Sequence, residues 1–262
     1  MNAYPFDVKQ IAALAVKAGD AVMEIYGSDF AVYEKDDMSP VTDADLKAEG
    51  IIFEGLNALT PDIPLIGEEH LAAGGMPDLS QSLFWLVDPI DGTADFVKKN
   101  GEFTVNIALI KDDAPVFGVV YVPVRHALYY TVSPDEAIKE QDGQITVLKT
   151  RAVPTAGYSV LNSRTHCDEA VVEKMLTGLK IADKQPCGSS LKFCLIAEGK
   201  ADVYPCSHKT KEWDTAAAHA ILRAAGGEVY DAETGLPLTY RKDGLRNPTI
   251  VSFGQKRWTK SA

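Results

Sequence analysis

The stretch Trp85-Leu86-Val87-Asp88-Pro89-Ile90-Asp91-Gly92-Thr93 organises this chain. The apolar run from Leu83 to Val87 reads as a strand buried on both faces. It ends in two carboxylates, Asp88 and Asp91, with Pro89 and Ile90 between them, and Gly92-Thr93 turns the chain. Proline fixes φ and glycine relaxes it, so the backbone at this strand end is tightly shaped. Two acids at the rim of a buried strand are costly unless something cationic neutralises them. Taken alone, Asp-x-x-Asp describes a loop with two solvated aspartates and a helix cap. The buried strand before it and the Gly-Thr turn after it point instead to a divalent-metal site facing a phosphate.

Upstream, Asp7 to Gly27 has an apolar stripe at helical spacing (Ile11, Leu14, Ala15, Ala18, Val22, Ile25), with Gly27 as the stop. Phe30 to Tyr33 reads as a short strand. Lys35-Asp36-Asp37-Met38-Ser39-Pro40 reads as a loop, placed so that Lys35 can approach a site. Thr42-Asp43-Ala44-Asp45 opens a second helix to about Leu59, with Leu46, Ile52, Phe53, Leu56 and Leu59 as its apolar face. Thr42 and Asp45 have capping-pair spacing, although Glu or Gln is the usual partner at the third position. Pro64 to Gly67 is a short strand that delivers Glu68-Glu69, and strand alternation lets at most one of them face a metal. His70 to Ser82, with Gly74-Gly75 and Pro77, reads as a mobile flap. Downstream, Phe103–Ile110, Val116–Val122, Ala127–Val132 and Gln144–Leu148 read as an antiparallel meander packed on the first two helices.

Composition shifts near Arg151-Ala152-Val153-Pro154. This divides the chain into an N-terminal α+β lobe, 1–150, with most of the acids, and a C-terminal α/β lobe, 151–262. In the second lobe strands at Tyr158–Asn162, Ile181–Gln185, Ala201–Tyr204, Glu228–Tyr230 and Thr249–Phe253 alternate with helices at Asp168–Leu179, Leu191–Glu198 and Trp213–Ala225. That pattern suggests a mixed sheet flanked by helices.

With 262 residues the chain can bury a large core, and 46% apolar and 24% charged residues are ordinary for a globular protein. A net charge of −11 argues against nucleic acid or acidic lipid as a partner, but a bound metal can still attract an anionic substrate. Cys167, Cys187, Cys194 and Cys206 form no C-x-x-C pair and read as inert thiols of a reducing compartment rather than a zinc site. Met1 to Phe6 has no signal-like character and no apolar run reaches about 18 residues. A cytoplasmic protein without a transmembrane segment is expected, with peripheral contact on the cytoplasmic face of a membrane left open and a monomer or homodimer as its state.

Five acids therefore lie at element ends beside tight turns: Asp45, Glu68, Asp88, Asp91 and Asp214. An all-oxygen set suits a hard cation such as Mg²⁺. The histidines, His70, His126, His166, His208 and His219, are scattered and read as surface or core. The starts at Gly92-Thr93 and Asp214-Thr215 offer unpaired backbone N–H groups that attract phosphate. Gly188-Ser189-Ser190 offers a third such turn, although the serines also suit plain helix capping.

Trp85-Leu86-Val87-Asp88-Pro89-Ile90-Asp91-Gly92-Thr93 and Trp213-Asp214-Thr215-Ala216-Ala217 resemble the two signatures of the inositol-monophosphatase superfamily of lithium-sensitive, magnesium-dependent phosphatases. Glu68 in Gly67-Glu68-Glu69 and Asp45 in Thr42-Asp43-Ala44-Asp45 match its other acidic positions, so the resemblance covers nearly the whole chain in order. Asn100-Gly101-Glu102-Phe103-Thr104-Val105-Asn106-Ile107-Ala108 and Gly188-Ser189-Ser190-Leu191-Lys192-Phe193 are similar to its 3′(2′),5′-bisphosphate nucleotidase branch, the CysQ type.

The resemblance implies a mixed α/β chain in a layered αβαβα sandwich, the sugar-phosphatase fold shared with fructose-bisphosphatase. It also implies two or three Mg²⁺ ions. Glu68, Asp88 and the Ile90 carbonyl would hold one; Asp88 would bridge to a second on Asp91 and Asp214; a third would sit near Glu68. Asp45 and the Thr93 hydroxyl would orient the attacking water. The amides of Gly92 and Thr93 would hold phosphate oxygens. Gly188, Ser189, Ser190 and Lys192 would face the nucleoside or a second phosphate, unless Lys192 is a surface lysine. The implied substrate is a small nucleotide, adenosine 3′,5′-bisphosphate, with the sulfate carrier PAPS as a second. The alternatives are an inositol-phosphate or sugar-phosphate phosphatase of the same fold, and a non-catalytic metal- or phosphate-binding regulator.

Overall fold

The computed structural model describes residues 4–34, 40–75, 79–164 and 168–255; Lys35, His166 and Cys167 lie outside them. Helix α1 (Val8–Tyr26) starts on Asp7, whose side chain accepts from the Lys9 amide at 2.9 Å. Gly27 sits at its end with φ −77°, so the helix stops there without a left-handed turn. Strands β1 (Val32–Glu34) and β2 (Pro40–Thr42) pair as an antiparallel ribbon. Pro40, expected in a loop, is thus a strand residue opposite Glu34. Proline is tolerated in such an edge position because no neighbour needs its missing N–H.

In α2 (Asp43–Leu59) the buried stripe runs Ala44, Ala48, Ile52, Leu56, an i to i+4 ladder. Leu46 lies off that ladder and is 55% exposed, so its expected place on the apolar face is corrected. Next come β3 (Leu65–Gly67) and α3 (Glu68–Ala72), and His70 to Ala72 are helical rather than part of a flap. Strand β4 (Leu83–Asp91), α4 (Thr93–Val97), β5 (Thr104–Lys111), β6 (Ala114–Val122), β7 (Ala127–Ser133), β8 (Glu136–Gln141) and β9 (Gln144–Val147) complete the first half. The sequence reading missed β8, since Glu-Ala-Ile-Lys-Glu-Gln carries only two apolar side chains in a row and shows no alternation.

The seven-stranded sheet runs β3-β4-β5-β6-β7-β8-β9, with β3 parallel to β4 and every other pair antiparallel. The ladder between β4 and β5 shifts between Asp88 and Asp91, where Pro89 has no N–H to give. Phe84 and Leu86 point into one core while Trp85, Val87 and Ile90 point into another, the two-faced burial the apolar run predicts.

The second half adds β10 (Tyr158–Ser163), α5 (Glu169–Met175), β11 (Ile181–Cys187), α6 (Leu191–Ala197), β12 (Val203–Cys206), α7 (Trp213–Ala224), β13 (Glu228–Asp231) and β14 (Ile250–Phe253). Helix α5 is shorter than its apolar pattern predicts, and the chain after it reaches Gly178 at φ +83°. Its five-stranded sheet, β11-β10-β12-β14-β13, is mixed, as expected.

The layers follow from the cores. Helices α1 and α2 cover one face of the first sheet through Ile11, Ala15, Ile52 and Leu56. Helices α6 and α7 cover its other face, where Leu191, Ala216 and Ile221 meet Phe84, Leu86, Ala108 and Ile110. A Cβ on Gly118 of β6 would stand 2.1 Å from the Ala217 carbonyl, so only glycine lets α7 lie this close. Helix α5 packs Val172 and Leu176 on the far face of the second sheet, against Val160, Val203 and Val251. The result is an αβαβα sandwich. We propose that the division near Arg151 separates two sheets, with one core shared between them.

Candidate active site

The end of β4 forms one wall of a cavity of about 330 Å³. Asp88, Ile90 and Asp91 come from β4 itself, and Gly92 and Thr93 from the turn into α4. Gly92 has φ +90°, a conformation that favours glycine. Glu68 joins them because β3 runs parallel to β4 with Gly67 opposite Val87. A Cβ on Gly67 would meet Glu49 Oε2 at 2.4 Å. That carboxylate accepts from the Glu69 amide at 2.9 Å and the His70 amide at 2.6 Å, capping α3. Glu68 faces the cavity and Glu69 is buried away from its lining.

Asp45 stands behind this wall and is 1% exposed. Its Oδ2 accepts from the Thr42 amide at 2.8 Å and the Thr42 hydroxyl at 2.7 Å, which completes a capping box. Its Oδ1 lies 3.2 Å from the Thr93 hydroxyl, which also reaches the Ile90 carbonyl at 3.1 Å. Asp45 therefore caps a helix with one oxygen and holds Thr93 with the other.

The opposite wall carries Gly188, Ser189, Ser190, Lys192 and Asp214. Ser190 donates its amide to Asp91 Oδ2, and its hydroxyl shares hydrogen bonds with Thr104 at 2.8 Å and Asn106 at 2.9 Å. It occupies the cap position of α6 without a side-chain cap bond, whereas Ser189 accepts from the Leu191 amide at 3.3 Å. Lys192 is buried, not a surface lysine. Its Nζ donates to the Cys187 carbonyl at 3.3 Å and lies 4.8 Å from the centre of the Tyr204 ring. Asp214, in the first turn of α7, accepts from the Lys211 amide at 2.8 Å.

Electrostatics separate these acids from ordinary surface carboxylates. Burial pushes Asp91 up to about 6, against the pull of Lys192 and the Ser190 amide, with the Glu68 charge adding to the rise. Burial, then Asp91 and Glu68, raise Asp214 well above the carboxylate range. Among the described residues no three His, Cys, Asp or Glu side chains are drawn together tightly enough to cage an ion as they stand.

Sequence reasoning missed several residues that line the cavity. Asp95, 4% exposed, lies in α4 four residues after Asp91. Lys209, Thr210 and Lys211 lie between β12 and α7, where two lysines flanking a threonine stand out in so acidic a chain. Phe193 and Tyr204 gave no signal beyond core. His208 lines the cavity with its ring 3.6 Å from Cys206 Sγ, while His219 is a core residue held by Tyr240 at 2.9 Å and Glu228 at 2.5 Å. Cys187, Cys194 and Cys206 are buried free thiols.

The chain is 46% identical over 245 residues to the 3′(2′),5′-bisphosphate nucleotidase CysQ of Salmonella typhimurium strain LT2, covering 92% of this chain and 97% of that one. It is 44% identical over 243 residues to the protein of the same name from Escherichia coli K12, covering 91% and 96%. The crystal structure of CysQ from Bacteroides thetaiotaomicron, described as a bacterial member of the inositol monophosphatase family, superposes with a TM-score of 0.79 at 38% identity, covering 97% of this chain and 99% of that one. The inositol monophosphatase family model matches residues 6–260, and the chain belongs to that family.

Proposed function

We propose that this chain is a Mg²⁺-dependent phosphomonoesterase that removes the 3′-phosphate of adenosine 3′,5′-bisphosphate to give AMP and phosphate, with PAPS as a second substrate. The observation that carries this reading is one cavity in which Glu68, Asp88, Asp91 and Asp214 face a buried lysine and a Gly-Ser-Ser turn. The relatives named 3′(2′),5′-bisphosphate nucleotidase match over nearly their full length.

The donor set suits magnesium. It is all oxygen, four carboxylates and the Ile90 carbonyl, and two of its acids have raised proton affinity because burial and neighbouring carboxylates outweigh the pull of Lys192 and Lys211. Glu68, Asp88 and Ile90 would hold one ion and Asp88, Asp91 and Asp214 another, with a third near Glu68. Bound Mg²⁺ supplies Lewis acidity: it acidifies water near neutral pH and offsets charge on the phosphate.

The remaining work falls to the chain. Thr93 directs its hydroxyl proton to Asp45 Oδ1 or the Ile90 carbonyl, which leaves its oxygen lone pairs to accept a hydrogen bond from the attacking water and fix its direction. Asp45 can hold that pose because the Thr42 cap fixes its other oxygen. The Gly92 and Thr93 amides, at the turn into α4, would take phosphate oxygens. Lys192 and the Gly188–Ser190 turn would hold the nucleoside side and its 5′-phosphate. We assign the protein to the cytoplasm; among the described residues no helix is long and apolar enough to cross a membrane.

The test is phosphate release from adenosine 3′,5′-bisphosphate and from inositol 1-phosphate in Mg²⁺, with and without Li⁺. Faster release from the bisphosphate, suppressed by Li⁺, is the expected result. Faster turnover of the inositol ester would overturn the substrate assignment.

A further inference from the structure

Glu102 lies in the stretch that resembles the nucleotidases, yet it does not line the cavity. Its side chain is 14% exposed and clasps the far wall from outside. Oε2 accepts from the Gly188 amide at 2.7 Å. The same oxygen takes Arg164 Nε at 3.0 Å while Oε1 takes Arg164 Nη2 at 3.0 Å, a bidentate pair. Arg125 adds a second positive charge at 3.9 Å. One carboxylate thus joins the segment before β5, the turn after β6, the end of β10 and the start of the Gly188–Ser190 turn.

The contact leaves no slack. A Cβ on Gly188 would stand 2.8 Å from the Glu102 carbonyl and 2.6 Å from Asp95 Oδ2, so the two backbones meet directly. Ser189, next along, has φ +49°, a conformation that persists only where surroundings impose it. A further tether of this turn, from the Ser190 amide to Asp91, is made to an acid whose oxygens the bound ions would share. Glu102 is free of that duty, and charge-assisted bidentate hydrogen bonds are both stronger and more directional than neutral ones.

We propose that Glu102 is a positioning residue: through Gly188 and Arg164 it fixes the substrate-facing turn at a set distance from the carboxylate wall, and so governs binding of the nucleoside part of the substrate. This rests on the function proposed above. It predicts an effect on substrate binding rather than on the chemical step.

The test compares Glu102→Ala and Glu102→Gln with the unaltered full chain in Mg²⁺. The substrates are adenosine 3′,5′-bisphosphate and p-nitrophenyl phosphate, which has no nucleoside, and melting curves accompany each assay. Glu102→Ala should raise KM for the bisphosphate about 10-fold with kcat within about 3-fold, a pure loss of substrate binding. Glu102→Gln keeps an acceptor for the Gly188 amide and should recover part of that loss, and neither variant should change p-nitrophenyl phosphate hydrolysis by more than about 3-fold. A fall in kcat at constant KM, an equal loss on both substrates, or no change in any constant would overturn the proposal. If Glu102→Ala does not fold, the milder Glu102→Gln carries the same KM criterion. If the unaltered chain hydrolyses inositol 1-phosphate and not the bisphosphate, the function proposed above fails by itself, and Glu102 is then judged by the same KM-against-kcat split on the inositol ester.

Discussion

Two sets of sheltered acids in this molecule are treated in opposite ways. Asp202, 3% exposed, is fully answered from within: Arg151 reaches it at 2.9 and 2.8 Å and the Ser159 amide at 2.8 Å. Glu212, 0% exposed, accepts from the Arg241 and Lys242 amides at 2.8 and 3.0 Å and pairs with Lys242 Nζ at 2.6 Å. Asp91 and Asp214 share a cavity with Glu68 and Asp88, and burial together with mutual repulsion raises their proton affinity. The fold answers Asp202 and Glu212 with an arginine and a lysine, whereas it gathers Asp91 and Asp214 beside other carboxylates, where burial outweighs the pull of Lys192 and Lys211. The contrast is between acids that hold the fold and acids that the fold must hold.

The sharpest way to break this contrast is Asp91→Asn. Phosphate release should fall at least about 100-fold, because a ligand oxygen and its charge are lost together. The metal-free variant should melt no lower than the parent, and Mg²⁺ should no longer raise its melting temperature as it does the parent's. Retained activity would remove Asp91 from the ligand set.

Arg151→Ala attacks the other side. It strands a buried carboxylate, a change that costs about 3–5 kcal/mol for fully buried pairs and about 2 here, because the arginine is partly exposed. Denaturant melts should show that loss while activity per folded molecule stays unchanged.

A third measurement uses pH. Asp91 binds its proton more tightly folded than unfolded, so its contribution to stability is full below about 4 and is lost as pH rises through about 6. Metal-free protein should therefore lose melting temperature between pH 5 and pH 8 by several degrees, other groups equal. Mg²⁺ should restore more at pH 8 than at pH 5, since at low pH it competes with protons for the same oxygens. An equal Mg²⁺ effect at both pH values would count against Asp91 as a ligand.

The smallest effect is expected at Glu198. Burial alone would raise its pKa, but Lys200, the Tyr129 hydroxyl and Lys139 together hold it below the usual value. Glu198→Gln should cost about 1 kcal/mol, as a partly exposed structural acid should, with kinetics unaltered.

Much of this was legible in the chain. The Leu83–Val87 run predicted a strand buried on both faces, and Phe84 and Trp85 do enter different cores. Helix starts at Asp7 and Thr42 were readable because capping is local chemistry. Leu46 was misplaced because a leucine near a helix start satisfies the apolar pattern whichever way it faces, and only the position of β4 decides the buried side. Strand β8 escaped because its partners β7 and β9, rather than its own alternation, make it a strand.

The sequence by itself determined which residues could answer a cation, since their chemistry and their place at element ends are local properties. It also determined the family, through motifs too long to recur by accident. Only the tertiary structure decided that Lys192 is buried against Tyr204 and that Glu102 meets the Gly188 amide from outside the cavity. Those choices depend on which backbone lies beside which, across separations of up to about a hundred residues, and pairwise neighbours of that kind leave no mark in a chain read one window at a time.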